Sequence, residues 1–111
     1  MANACKNRTL RQVGTSAVDV GADVDSNTQT TLIGMTLANV TSGVISVTVQ
    51  LINTTGPVIT HIVKDAPIPT GGSLIVVGGD QKIVLIENDK ITVTSNTASS
   101  VDVIMSFLEI T

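Results

Sequence analysis

The chain has no tryptophan, no tyrosine and a single phenylalanine, Phe107, in 111 residues. Single-stranded nucleic acid is gripped by stacking its bases on aromatic rings, and sugars are commonly held the same way, so neither ligand has a platform here. One cysteine, Cys5, rules out an internal disulfide. One histidine, His61, has no second His or Cys at ligand spacing, and a metal site built on it is not expected. Charged residues make up only 14% of the chain, against roughly 25% in an average soluble domain. No apolar run approaches the roughly 20 residues that cross a bilayer. The opening "MANACKNRTLRQVG" lacks the apolar stretch of a secretory signal. The expectation is a protein made in a reducing cytoplasm, with neither membrane nor nucleic acid among its partners.

Catalytic motifs are missing as well. Ser73 has no Gly-x-Ser-x-Gly around it, as a hydrolase elbow demands. Gly71-Gly72 and Gly78-Gly79 are not followed by Lys-Ser or Lys-Thr and a helix, so they read as turn glycines rather than a phosphate cradle. Asp19, Asp23 and Asp25 cluster in "DVGADVDS", but their spacing does not fit an EF-hand loop, and a plain acidic loop is the better reading. Asn7, Asn39 and Asn53 each begin an Asn-x-Thr sequon, expected to stay unmodified without a secretory route. No enzyme, no cofactor and no metal is expected.

What the chain does have is sixteen valines, sixteen threonines and twelve isoleucines. Side chains branched at Cβ are stiff at the first torsion and suit a pleated surface better than a helix. Apolar and polar residues alternate with the period of a half-buried strand over residues 31–39, 45–51, 91–94 and 101–108, although the second face of 101–108 is also mostly apolar. Shorter apolar runs occupy 58–63, 73–77 and 82–86, with a weaker candidate at 9–13. Between them lie Thr41-Ser42-Gly43, Asn53-Thr54-Thr55-Gly56-Pro57, Gly78-Gly79-Asp80-Gln81 and Asn88-Asp89, all turn-forming. Pro67 and Pro69 mark 66–72 as a connection, because proline cannot donate to a ladder. The fold class is therefore all-β: an antiparallel β-sandwich, jelly-roll-like or immunoglobulin-like, of seven or eight short strands with no substantial helix. Its core is expected to hold Ile33, Met35, Leu37, Val47, Val49, Val93, Val103, Met105 and Phe107.

Two features point to partners. Residues 1–17 carry Lys6, Arg8 and Arg11 without an acid, while residues 18–111 set nine acids against three lysines. This reads as a basic N-terminal arm on a single acidic sandwich domain, suited to reach an acidic neighbour. Leu74-Ile75-Val76-Val77 and Ile83-Val84-Leu85-Ile86 are apolar on both faces, although a sandwich in a lone monomer keeps one face of each sheet wet. Some of that second face must be covered, most simply by another copy. The interface residues expected on these grounds are Lys6, Arg8, Arg11, Leu74, Val76, Val84 and Ile86.

Three stretches, "TLIGMTLANVTSGVISVTV", "HIVKDAPIPTGGSLIVVGGDQKIVL" and "DKITVTSNTASSVDVIMSFLEIT", resemble short virion structural proteins of tailed bacteriophages, above all phages of cyanobacteria and other marine bacteria. The most specific parts are Pro67-x-Pro69-x-Gly71-Gly72-Ser73-Leu74, Gly78-Gly79-Asp80-Gln81-Lys82 and the Ser106-Phe107-Leu108-Glu109-Ile110 ending. The resemblance covers residues 30–111. It implies a non-enzymatic β-sandwich part of the virion, assembled in the host cytoplasm. A capsid decoration or cement protein, bound as an oligomer (a trimer by analogy) to the major capsid protein or another virion protein, comes first. A neck, tail or fibre-attachment component is the second choice, and a receptor-binding or sugar-binding module stays open beside them.

Overall fold

The computed structural model describes residues 3–21, 23–53 and 56–111. Nine strands run along them: β1 (Asn3–Val13), β2 (Val18–Asp19), β3 (Gln29–Asn39), β4 (Ile45–Asn53), β5 (Val58–Ile68), β6 (Ser73–Val77), β7 (Ile83–Leu85), β8 (Lys90–Ser95) and β9 (Val101–Ile110). No helix occurs among the described residues. The strands form two antiparallel sheets facing one another across a common core. The first has the order β1-β9-β3-β6, with β7 also on β3, and the second has the order β2-β8-β4-β5. The expected sandwich is what the chain forms. Thr54 and Thr55 of the expected turn, Ala22 of the aspartate-rich segment and the first two residues of the basic arm lie outside the described residues.

Period-two patterning places the core. Ile45, Val47 and Val49 of β4 and Ile91 and Val93 of β8 meet Met35, Leu37, Val101, Val103, Met105 and Phe107 between the sheets, all buried. Ile33 departs from the expectation: it is 39% exposed, and Leu32 is fully buried in its place. The cause is a bulge. Against β9, Leu32 pairs with Phe107 and Gly34 with the very next residue back, Ser106, so Ile33 is an extra residue in the ladder. An inserted residue reverses the alternation, and Leu32 and Met35, three apart, share the inner face.

Two strand boundaries also differ from the sequence reading. Residues 3–13 are not an arm apart from the sandwich. They pair with β9 from Asn3–Ile110 to Leu10–Val103, shift register, and close with Val13–Val101. At the shift, Gln12 takes φ 54° and its N–H donates to Asp102 Oδ1 at 2.9 Å. β5, in turn, runs through Pro67 to Ile68. Proline fits because β5 is an edge strand and its partner Ser46 directs its backbone groups the other way. The Ser46 carbonyl accepts from Asn96 N–H and its N–H donates to Asn96 Oδ1, both at 3.0 Å. The missing proline donor therefore falls on the solvent side.

One buried polar side chain locks two connections together. Asn39, 5% exposed, donates through Nδ2 to the carbonyls of Gly43 (2.8 Å), Ile68 (3.0 Å) and Pro69 (3.2 Å). Its Oδ1 accepts from Thr41 N–H at 2.9 Å and from Thr41 Oγ1 at 2.8 Å. The Asn-x-Thr sequon is thus a structural clamp between the β3–β4 turn and the β5–β6 connection, with no amide hydrogen directed outward.

Candidate functional site

The three cations of the basic segment do not form one surface. Alternation along β1 turns Lys6, Arg8 and Leu10 toward the second sheet and leaves Arg11 facing out. Lys6 Nζ lies 3.0 Å from Glu109 Oε1, on the strand beside it. The Arg8 guanidinium sits half-buried with its central carbon 5.0 Å from the centroid of the Phe107 ring. Gly21 makes the room: its φ is +83°, and a Cβ there would fall 1.8 Å from Arg8 Nη1. Arg8 is therefore part of the sandwich end. It packs around a cavity of about 60 Å³ whose walls include Val20, Thr30, Ile91, Met105 and Phe107. That volume is far below the roughly 300 Å³ from which small-molecule sites start.

The other groups singled out in the sequence stand apart from one another. His61 Nε2 lies 3.1 Å from Gln50 Nε2 on the polar outer face of the second sheet. Lys90 Nζ is 3.7 Å from Asp19 Oδ2, and no three His, Cys, Asp or Glu side chains converge on a common point among the described residues. Cys5 is exposed on β1. Asn7 is exposed nearby, whereas Asn53 Nδ2 donates to the buried carboxylate of Asp89 at 3.0 Å.

The apolar strands resolve into inward and outward halves. Leu74, Val76 and Ile83 pack against the core, and Val77 and Leu85 belong to it. The outward residues are Ile75 (70% exposed), Ile86 (59%) and Val84 (49%), joined by Ile104 (50%) of β9 and the bulged Ile33. Of the expected apolar interface residues, Val84 and Ile86 thus face out, while Leu74 and Val76 support the sheet from within. Ile75 and Ile104 are surface residues that the sequence did not assign to the interface, and Ile33 was expected in the core. For Ile104 a signal existed, because both faces of 101–108 are apolar.

Register orders these residues into rows across the first sheet. Thr9, Ile104, Thr36 and Ile75 are cross-strand neighbours in one row. Cys5, Leu108, Thr31 and Val84 form a second. Between them run Asn7, Ser106 and Gly34, with the bulged Ile33 beside Ser106. The outer face of the second sheet is polar along its middle, where Thr48 pairs with Thr94 and Gln50 with both Thr92 and His61. At one end of it Ile52 pairs with the exposed Ile59.

No protein-family model matches the chain, and no curated protein matches its sequence. Among solved structures, the chain is similar to a subunit of Bacillus endospore appendages, described as a novel family of disulfide-linked pili. The two are 15% identical with a TM-score of 0.49, over 99% of this chain and 85% of that one. It is also similar to a chain of infectious bursal disease virus Gt strain, 13% identical with a TM-score of 0.45, over 98% of this chain and 30% of that one. A third similarity is to the VP2 subviral particle of infectious bursal disease virus, 12% identical with a TM-score of 0.45, over 95% and 36% of the two chains. The chain spans about a third of the length of these viral proteins.

Proposed function

We propose that this protein is a non-enzymatic virion structural component, a capsid decoration or cement protein that binds the shell as a homo-oligomer and stabilises it. The observation that carries the reading is the outer face of the first sheet, where Ile75, Ile104, Val84, Ile86 and Ile33 stand exposed together. Branched apolar side chains grouped on one sheet face of a small domain mark a surface that is covered in use. The resemblance of residues 30–111 to short phage virion proteins supplies the setting and the trimer as the expected symmetry. A sandwich without a disulfide suits such a part, because many-copy packing adds burial that a chain of this size lacks alone.

In this reading the assembled oligomer meets the shell in part through Arg11, the one cation of the basic segment that faces outward, at one end of the first sheet. Arginine can meet a carboxylate bidentately, but an exposed pair contributes only about 0–1 kcal/mol, so Arg11 tunes attachment rather than driving it. The test is an averaged image of the intact particle together with co-sedimentation of purified protein with undecorated shells. Density on the shell lattice and a higher shell melting temperature on addition are the expected results. Density confined to the neck, tail or fibres would replace the cement assignment with the accessory one.

A further inference from the structure

The exposed face of the first sheet has an occupant that its own chemistry selects. We propose that a second copy of this chain packs on it face to face, so that Ile33, Ile75, Val84 and Ile104 of the two copies cover one another. This rests on the oligomer reading above and names the surface that makes the oligomer.

Charge is the first ground. The chain carries net charge −3, so copies repel wherever their acids meet. The strands of the first sheet turn only Arg11 and Asp102 outward, one of each sign, side by side at one end. Lys6, Arg8 and Glu109 lie on the inward side, and the remaining acids sit in the second sheet or in turns. Copies of an acidic chain can approach closely through a face like this, and a strongly charged partner would find only Arg11 and Asp102 on it to meet.

Area is the second ground. Four strand columns about 4.8 Å apart, each about ten residues long at about 3.4 Å per residue, give the face roughly 650 Å². Two such faces together give roughly 1,300 Å², within the roughly 1,200–2,000 Å² of total surface that specific interfaces bury. Stiffness is the third: the outward residues are mostly Ile, Val and Thr, whose side chains lose little freedom on docking.

The test uses the full chain in sedimentation velocity across a micromolar concentration series. The wild type should run above its 11.4 kDa monomer mass. Ile75→Glu with Ile104→Glu should weaken association at least about 100-fold, because pairing would bury an unpaired carboxylate. The milder Ile75→Thr with Ile104→Thr, which keeps the Cβ branch, should weaken it less and preserve the circular dichroism spectrum. Thr48→Glu with Thr94→Glu on the polar face should leave association unchanged. A wild type that stays at 11.4 kDa would overturn the oligomer reading and this inference together. A wild-type oligomer that survives both isoleucine pairs, or dissociates with the Thr48/Thr94 pair, would overturn the assigned face alone. Neither result bears on where the particle holds the protein, which the images decide.

Discussion

Replacing Asn39 should be among the most damaging single changes in the molecule, because its buried side chain joins two connections. Asn39→Ala removes an amide whose two N–H hydrogens are shared among three carbonyls and whose oxygen accepts two hydrogen bonds. Gly43, Pro69 and Thr41 are near enough to solvent to find water, but Ile68 is fully buried and its carbonyl is left without this donor. Each re-solvated bond contributes about 0.5–1.5 kcal/mol and a stranded buried acceptor costs about 1–3. Because the two Nδ2 hydrogens are shared among three carbonyls and Thr41 Oγ1 can turn to the Gly43 carbonyl, the lower half applies and the expected loss is about 3–5 kcal/mol. For a domain of this size that lowers the melting temperature by about 12–25 °C. Asn39→Asp is the sharper variant: it keeps the acceptor to Thr41 but places a carboxylate oxygen against three carbonyls. Its folded-state pKa must rise above the unfolded value of about 3.9, so folding favours the protonated form. The variant should therefore be least impaired at low pH and lose stability as pH climbs past that unfolded value and through the raised folded one. Urea unfolding followed by circular dichroism, at one protein concentration so that assembly stays constant, measures both. An Asn39→Ala loss under about 1 kcal/mol, or an Asn39→Asp protein equally stable at pH 4 and pH 8, would show that the clamp is not what joins these connections.

Deleting residues 1–12 should prevent stable folding rather than trim a loose end, because it uncovers the β9 edge from Val103 to Ile110; a cooperative melt unchanged from the full chain would refute this. Gly21→Ala should cost about 1–3 kcal/mol, from a left-handed φ and displacement of Arg8 from Phe107. In an Arg8→Ala background that cost should shrink, and an additive double-mutant cycle would argue against the contact. Phe107→Ala should cost about 3–5 kcal/mol, read by chemical denaturation, since the ring is 2% exposed beneath Arg8. Lys6→Ala should change stability by no more than about 1 kcal/mol, and less in high salt, because its pair with Glu109 is open to solvent.

Strand identity was legible in the sequence wherever one face is buried and the other wet. Residues 45–51 and 91–94 alternate without interruption, and the inward set there follows from the sandwich itself. The turns were legible from their glycines and asparagines, and the antiparallel sandwich from the regular spacing of short strands. The basic segment was not recognised as a full strand because Asn3–Val13 sits at an edge, where few of its side chains are buried and no alternation is imposed. Only pairing with β9 makes it one.

The two-sided stretches left the face undecided. In Leu74-Ile75-Val76-Val77 hydrophobicity cannot say which residue turns outward; that follows from Thr36, which pairs with Ile75 in β6 and with Ile104 in β9. Ile33 is the same problem in its simplest form. Its alternation with Met35 and Leu37 is real, but one extra residue in the ladder with β9 reverses it and brings Leu32 inside. Composition and period are local properties, so the chain alone determined that it would be strands and where most of them run. Register is a property of two strands at once, so only the assembled sheets decided that Arg8 turns inward and that Ile33, Ile75 and Ile104 stand outside on one exposed face.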